Sequence, residues 1–193
     1  PGVGYHHLLI LRDHDTPIGY LTKVRIGEMF QALQEHYNEL ALDGCVEYIS
    51  LFYNWGPRAG ASVYHPHLQM MAIPIIPRDV GHSLQGSKKY HTQKGGCVHC
   101  TIIKWEIQQK KRILYKSDRV IAFAPFISRD PFEFRIFPRK HNPYFEDEKR
   151  EVMDEIADVL RRLLRQTEKK LGDPDLNFFI HSAPVQNKEK YGY

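Results

Sequence analysis

One arrangement occurs twice in the chain, and it limits the fold more than any other feature. "GYHHLLILRDH", ending at His14, and "PFEFRIFPRKH", ending at His141, each carry an extended apolar run to an Arg two residues before a His. Behind His14, residues Val24, Ile26, Met29, Phe30, Leu33, Tyr37, Leu40 and Ala41 fall near the helical period; behind His141, so do Val152, Ile156, Val159, Leu160, Leu163 and Leu164. Two amphipathic helices are predicted. The second is bounded by Glu146, Asp147 and Glu148 in its first turn, Lys169 and Lys170 in its last, and Gly172 as its stop. Short turns, "LDGC" and "LGDPD", lead into "VEYISLFYN" and "LNFFIHS", and each of these strands reaches a proline, Pro57 or Pro184. Strand, helix, strand, loop, strand is thus the expected unit: an α+β fold built as a duplicated module, each copy a mostly antiparallel sheet with an amphipathic helix packed on it.

The expected division is a first half over residues 1–80, a polar Gly-, Lys- and His-rich linker or loop over 81–96, and a second half over 97–193. Pro1 is not an initiator Met, and copy two stops at Tyr193 just before its matching last strand, so sequence is expected beyond both ends.

Copy one ends in "SVYHPHLQMMAIP". Alternation along a strand puts His65, His67 and Gln69 on one side, about 6.5 to 7 Å apart, and Leu68 and Met70 on the other. The H-x-H spacing alone fits three readings: an idle polar sheet face, a two-His metal site, or a reactive imidazole. What precedes it favours the third. "NWGPRAGAS" supplies Asn54, Gly56, Gly60, Ala61 and Ser62, small residues that allow close approach of an anion to the backbone. Imidazole attacks phosphorus at neutral pH, and an amide can donate to a phosphoryl oxygen, so this pattern points to transfer through a phospho-histidine intermediate.

Composition removes some alternatives. No apolar run in the 193 residues approaches a membrane span, and no signal peptide opens the chain, which leads us to expect a soluble cytoplasmic protein. Three cysteines make no disulfide framework and suit a reducing compartment. The charge of +4 is scattered, with no basic stripe or aromatic stacking platform, which argues against a nucleic-acid partner.

A duplicated module whose first half closes with H-P-H-x-Q resembles the galactose-1-phosphate uridylyltransferase branch of the histidine-triad superfamily. The likeness runs through "LRDH", "FYNWGPRAGAS", "HPHLQ", "AFAPFISRDPFEFRIFPRKH" and "NFFIHSAP". It implies that His67 is the nucleophile that takes a nucleotidyl group. Gln69 would hold the phosphoryl oxygens, and its place in the motif favours transfer over hydrolysis. Asn54, Gly60, Ala61 and Ser62 would line the nucleotide. Tautomer logic adds that a neighbouring backbone carbonyl should hold the Nδ1-H of His67 and free Nε2. The implied reaction moves a nucleoside monophosphate from a nucleotide sugar to a sugar 1-phosphate. Rival readings are an ADP-sugar or dinucleoside-polyphosphate phosphorylase using inorganic phosphate, and a non-catalytic nucleotide- or zinc-binding module. Homodimerisation is implied by the resemblance alone.

Metal sites follow from the repeat and the resemblance together. Cys97 and Cys100 have the spacing of half a tetrahedral zinc site, the alternative being two ordinary thiols. The resemblance makes His141 their third ligand, and by symmetry His14 and His65 belong to a second zinc site whose cysteines lie upstream. His181 stands where copy one has Asn54, so the second half is expected to be a structural partner without a site of its own. His6, His7 and His91 read as surface residues, His99 as exposed, and Cys45 as a small buried residue. Arg12, Arg139 and Lys140 lie near the repeated histidines, where surface charge is the simpler reading than phosphate contact.

Overall fold

Helix α1 (Lys23–Ala41) begins where its sequence says it should: the Thr22 hydroxyl accepts the Arg25 N–H at 3.2 Å. Its apolar stripe of Ile26, Met29, Phe30, Leu33, Tyr37 and Leu40 is buried, while Val24, one position off the stripe, stays exposed. The computed structural model describes residues 3–14 and 16–191. Around α1 lie strands β1 (Tyr5–Ile10), β2 (Tyr48–Trp55) and β3 (His67–Ile73), and β7 (Leu176–Ile180) from the far end of the chain completes a four-stranded sheet in the order β1-β3-β2-β7. Every pairing in it is antiparallel.

A second sheet, β4 (Ile113–Lys116), β5 (Val120–Phe123) and β6 (Arg135–Pro138), is also antiparallel. The long helix α4 (Arg150–Leu171) joins the two. Met153, Ala157, Leu160 and Leu164 pack into the core shared with α1 and the larger sheet, whereas Val159 and Leu163 pack on Val120 and Ala122 of the smaller one. One wide apolar stripe therefore serves two cores. Close approach at one end of α4 depends on Gly19, where a Cβ would come within 2.8 Å of the Arg165 amide nitrogen.

The α+β class holds, and strand-helix-strand recurs as β1-α1-β2 and β6-α4-β7 in the expected segments. Three features differ from expectation. Residues 81–96, expected as a linker or loop, belong mostly to helix α2 (Arg78–Lys94), which buries none of its residues and ends at the left-handed Gly95. With no apolar stripe to reveal it, such a helix reads as linker. Helix α3 (Val98–Gln109) and strands β4 and β5 were not anticipated either. Cys45, expected to be buried, is exposed in the turn after α1. No helix among the described residues is long and apolar enough to cross a membrane.

Candidate active site and metal centre

Strand β3 sorts its residues by face. Leu68, Met70 and Ala72 are buried in the core with α1, and His67 and Gln69 lie half-buried on the opposite face. Register places Ile10 beside His67, and Leu8 and Phe52 beside Gln69, on that face. Leu8, Ile10 and Phe179 remain exposed there, so the histidine stands on an open, partly apolar floor. A cavity of about 370 Å³ lies elsewhere, between α4 and the β4–β5 turn. Its lining holds Asp118, Glu151, Asp154, Glu155 and Asp158 against Lys23 and Arg119, a net acidic surface that disfavours phosphate.

His67 Nδ1 lies 2.7 Å from the carbonyl oxygen of His65. A carbonyl can only accept, so Nδ1 carries the proton and the lone pair sits on Nε2, the nitrogen left for attack. His65 itself points elsewhere. Its Nε2–H donates to the Leu11 carbonyl at 2.6 Å, and its ring meets that of His14 edge-on, with centroids 4.4 Å apart. The pinned Nε2 leaves Nδ1 of His65 as a donor atom for a metal shared with His14. Among the described residues no third ligand joins this pair.

Cys97, Cys100 and His141 do come together. Their ligand atoms all lie within 4.8 Å of one another, and Cys100 Sγ is 3.3 Å from His141 Nδ1. Cys97 caps α3 and Cys100 lies one turn on, which turns both sulfurs toward the segment after β6. Burial, and then the neighbouring Cys97, push the Cys100 thiol upward from its ordinary range. Two thiols and an imidazole in this arrangement form a cluster that can bind a metal ion.

The loop before β3 behaves differently from what its composition suggests. Ala59 and Ala61 both donate their N–H groups to the Gly56 carbonyl, at 3.2 and 3.1 Å, and Gly60 donates to Pro57 at 3.1 Å. These amides close the loop on itself. What remains for an anion is the approach that the bare Gly60 permits, the exposed Ser62, and the side chain of Asn54.

Three residues of the second half grip that loop. Asp173 accepts the Trp55 indole N–H at 2.6 Å, Asp175 accepts the Arg58 backbone N–H at 3.2 Å, and the Asn177 amide nitrogen donates to Asn54 Oδ1 at 2.6 Å and to the Ala59 carbonyl at 2.8 Å. Gly56 (φ 86°) is required for the fit, since a Cβ there would fall 1.7 Å from Asp175 Oδ1. Sequence reasoning missed this contact because it depends on β7 pairing with β2 across the two halves. It also missed His6, whose Nε2–H donates to Gln69 Oε1 at 3.0 Å, and His7, whose half-buried ring stacks on His36. His181 lies one residue past the end of β7, its ring edge-on to Phe179 at 4.5 Å, while Asn54 pairs directly with Asn177. Burial, and then His99, lower the pKa of His181 from its ordinary value.

Comparison with known proteins now adds kinship to geometry. Residues 3–85 match the Ap4A phosphorylase N-terminal domain family. An ADP-glucose phosphorylase from Arabidopsis thaliana is 32% identical over 97% of this chain and 52% of its own length. A galactose-1-phosphate uridylyltransferase from Thermotoga maritima is 28% identical over 77% of this chain and 46% of its own. The chain thus spans about half the length of these relatives. The crystal structure of an ADP-glucose phosphorylase from Arabidopsis thaliana with bound ADP-glucose superposes with a TM-score of 0.89 at 30% identity, over 98% of this chain and 60% of that one.

Proposed function

We propose that this chain, which resembles ADP-glucose phosphorylase and galactose-1-phosphate uridylyltransferases in sequence and fold, transfers a nucleotidyl group from a nucleoside-diphosphate sugar through a covalent intermediate on His67. The observation that supports this reading is the Nδ1 contact of His67 with the His65 carbonyl, which leaves the ring's lone pair on Nε2. In the first half-reaction Nε2 attacks the α-phosphorus, an Nε2–P bond forms, and the P–O bond to the sugar phosphate breaks. Gln69 and Asn54 donate to the phosphoryl oxygens as charge builds on them, and Ser62 lines the phosphate path. In the second half-reaction an acceptor phosphate oxygen displaces His67.

Two acceptors fit this scheme, a sugar 1-phosphate or inorganic phosphate. We favour inorganic phosphate, which makes the reaction an ADP-sugar phosphorolysis, because the relative named ADP-glucose phosphorylase is 32% identical to this chain and the uridylyltransferases from Thermotoga maritima and Streptomyces lividans are 28% and 23% identical. Zinc would be held by Cys97, Cys100 and His141 in the second half, and His14 and His65 would contribute to a site in the first. A metal there would fix ligand geometry, and the bond of His65 to the Leu11 carbonyl keeps its ring apart from that of His67.

Offering ADP-glucose and UDP-glucose, each with phosphate and with galactose 1-phosphate, separates the readings. Released ADP that depends on phosphate supports phosphorolysis. Glucose 1-phosphate and a nucleoside-diphosphate galactose formed only when galactose 1-phosphate is supplied, with no free nucleoside diphosphate, return the reading to uridylyl- or adenylyltransfer, and nucleotide binding without turnover of any pair leaves a binding module.

A further inference from the structure

A primary amide has two ends of opposite character, and a site that must greet phosphate needs the NH₂ end outward. Asn177 sets this for Asn54. Its Nδ2 is anchored on the Ala59 backbone carbonyl at 2.8 Å, and a carbonyl accepts only, so the group at that position is NH₂. The same Nδ2 reaches the Asn54 side chain at 2.6 Å, and since NH₂ can only donate, the Asn54 atom facing it is the oxygen. The Nδ2 of Asn54 is thereby turned away from Asn177, toward Gly60, where an added Cβ would sit 3.8 Å from it. The two asparagines are direct cross-strand partners on the face that carries His67 and Gln69.

We propose that Asn177, supplied by the second half, is a positioning residue that fixes the amide polarity of Asn54 in the first half, so that the site presents a hydrogen-bond donor to the phosphates of a nucleoside diphosphate. This rests on the functional reading above and adds the residue that sets the site's preference for phosphate. Anchoring on Ala59 also ties the loop to β7, so the same side chain sets both the place and the polarity of the donor.

The test is a double-mutant cycle in the full-length protein, read as ADP affinity by titration calorimetry and alongside as turnover. Asn177→Ala and Asn54→Ala are each expected to weaken ADP binding about tenfold, the weight of one hydrogen bond to a charged group, and the double variant to be no weaker than either alone. Asn54→Asp keeps an oxygen for Asn177 to donate to, turns the remaining donor into an acceptor and adds a negative charge that repels phosphate; it is expected to lose more affinity than Asn54→Ala at an unchanged melting midpoint. This arm holds even if Asn177→Ala folds poorly. Additive losses in the cycle, or full ADP affinity in Asn54→Asp, overturn the proposal. ADP bound with the expected coupling but no turnover sinks the functional reading alone, and an unsubstituted protein that binds neither ADP nor UDP sinks both.

Discussion

The two halves share an order of elements and divide the labour. In the first, the strand after the helix leaves through a glycine-containing loop and returns as β3, carrying His67 and Gln69. In the second, the corresponding strand β7 pairs with β2, and the chain beyond it folds back onto the first half: the Val185 N–H donates to the Glu47 carbonyl at 3.1 Å, and its side chain is buried in the first core. The second half thus gives up its strand, its tail and part of α4 to complete the first. A pattern of apolar positions decides where strands and helices form, and under the proposed function a handful of polar residues at equivalent places sets which copy does chemistry.

The largest expected effect is at His67, whose Nδ1 meets the His65 carbonyl. His67→Gly should lower turnover by about a thousandfold or more and abolish the acid-labile nucleotidyl adduct detected by mass spectrometry. His181→Gly, at the position the repeat aligns with Asn54 and not with His67, should leave the adduct in place. An adduct that survives the first change and disappears with the second would reverse the assignment of the halves.

Metal removal probes the same asymmetry more gently. Cys97→Ala is expected to remove one zinc per chain, measured by plasma emission, and to lower the melting midpoint by several degrees, since it releases α3 from the segment after β6. Adduct formation at His67 should change only a few-fold, because the cluster lies in the other half. A loss of adduct as complete as that of His67→Gly would mean that the second metal centre belongs to the chemistry.

Much of this division is written in the sequence. The stripes of α1 and α4 are legible because burial imposes a period, and the His14–His65 proximity is legible because a repeat implies a pairing. Helix α2 is not, since it buries nothing and Gly81 and Gly86 interrupt it. Nor is the hold of Asp173, Asp175 and Asn177 on the loop. Those residues sit in a turn and a short strand with no motif of their own, and their role appears only once β7 is placed beside β2 in register. Loop composition misled in a similar way: small residues at Gly56 to Ala61 suggest free amides, but a tight turn uses those amides to close itself. Long-range register, which single-residue patterns do not encode, is the common cause.

The smallest effect sharpens the question of which half governs the site. His6 Nε2–H and Gln69 Oε1 meet at 3.0 Å between adjacent strands of the first half, diagonal in register because His6 pairs with Met71 and Leu8 with Gln69. The bond is exposed and neutral in its acceptor, so its loss is worth about 0.5 to 1.5 kcal/mol and His6→Ala should reduce turnover roughly three- to tenfold. His6→Gln restores a donor at similar reach and should recover most of that loss, an outcome not expected if His6 merely packs. Set beside Asn177→Ala, the measurement ranks the two supports: His6 holds the Gln69 amide from within the half that bears His67, and Asn177 holds the Asn54 amide from across the repeat. A larger loss at Asn177 makes the second half a partner in catalysis through the loop it holds, and a larger loss at His6 makes the first half nearly self-sufficient.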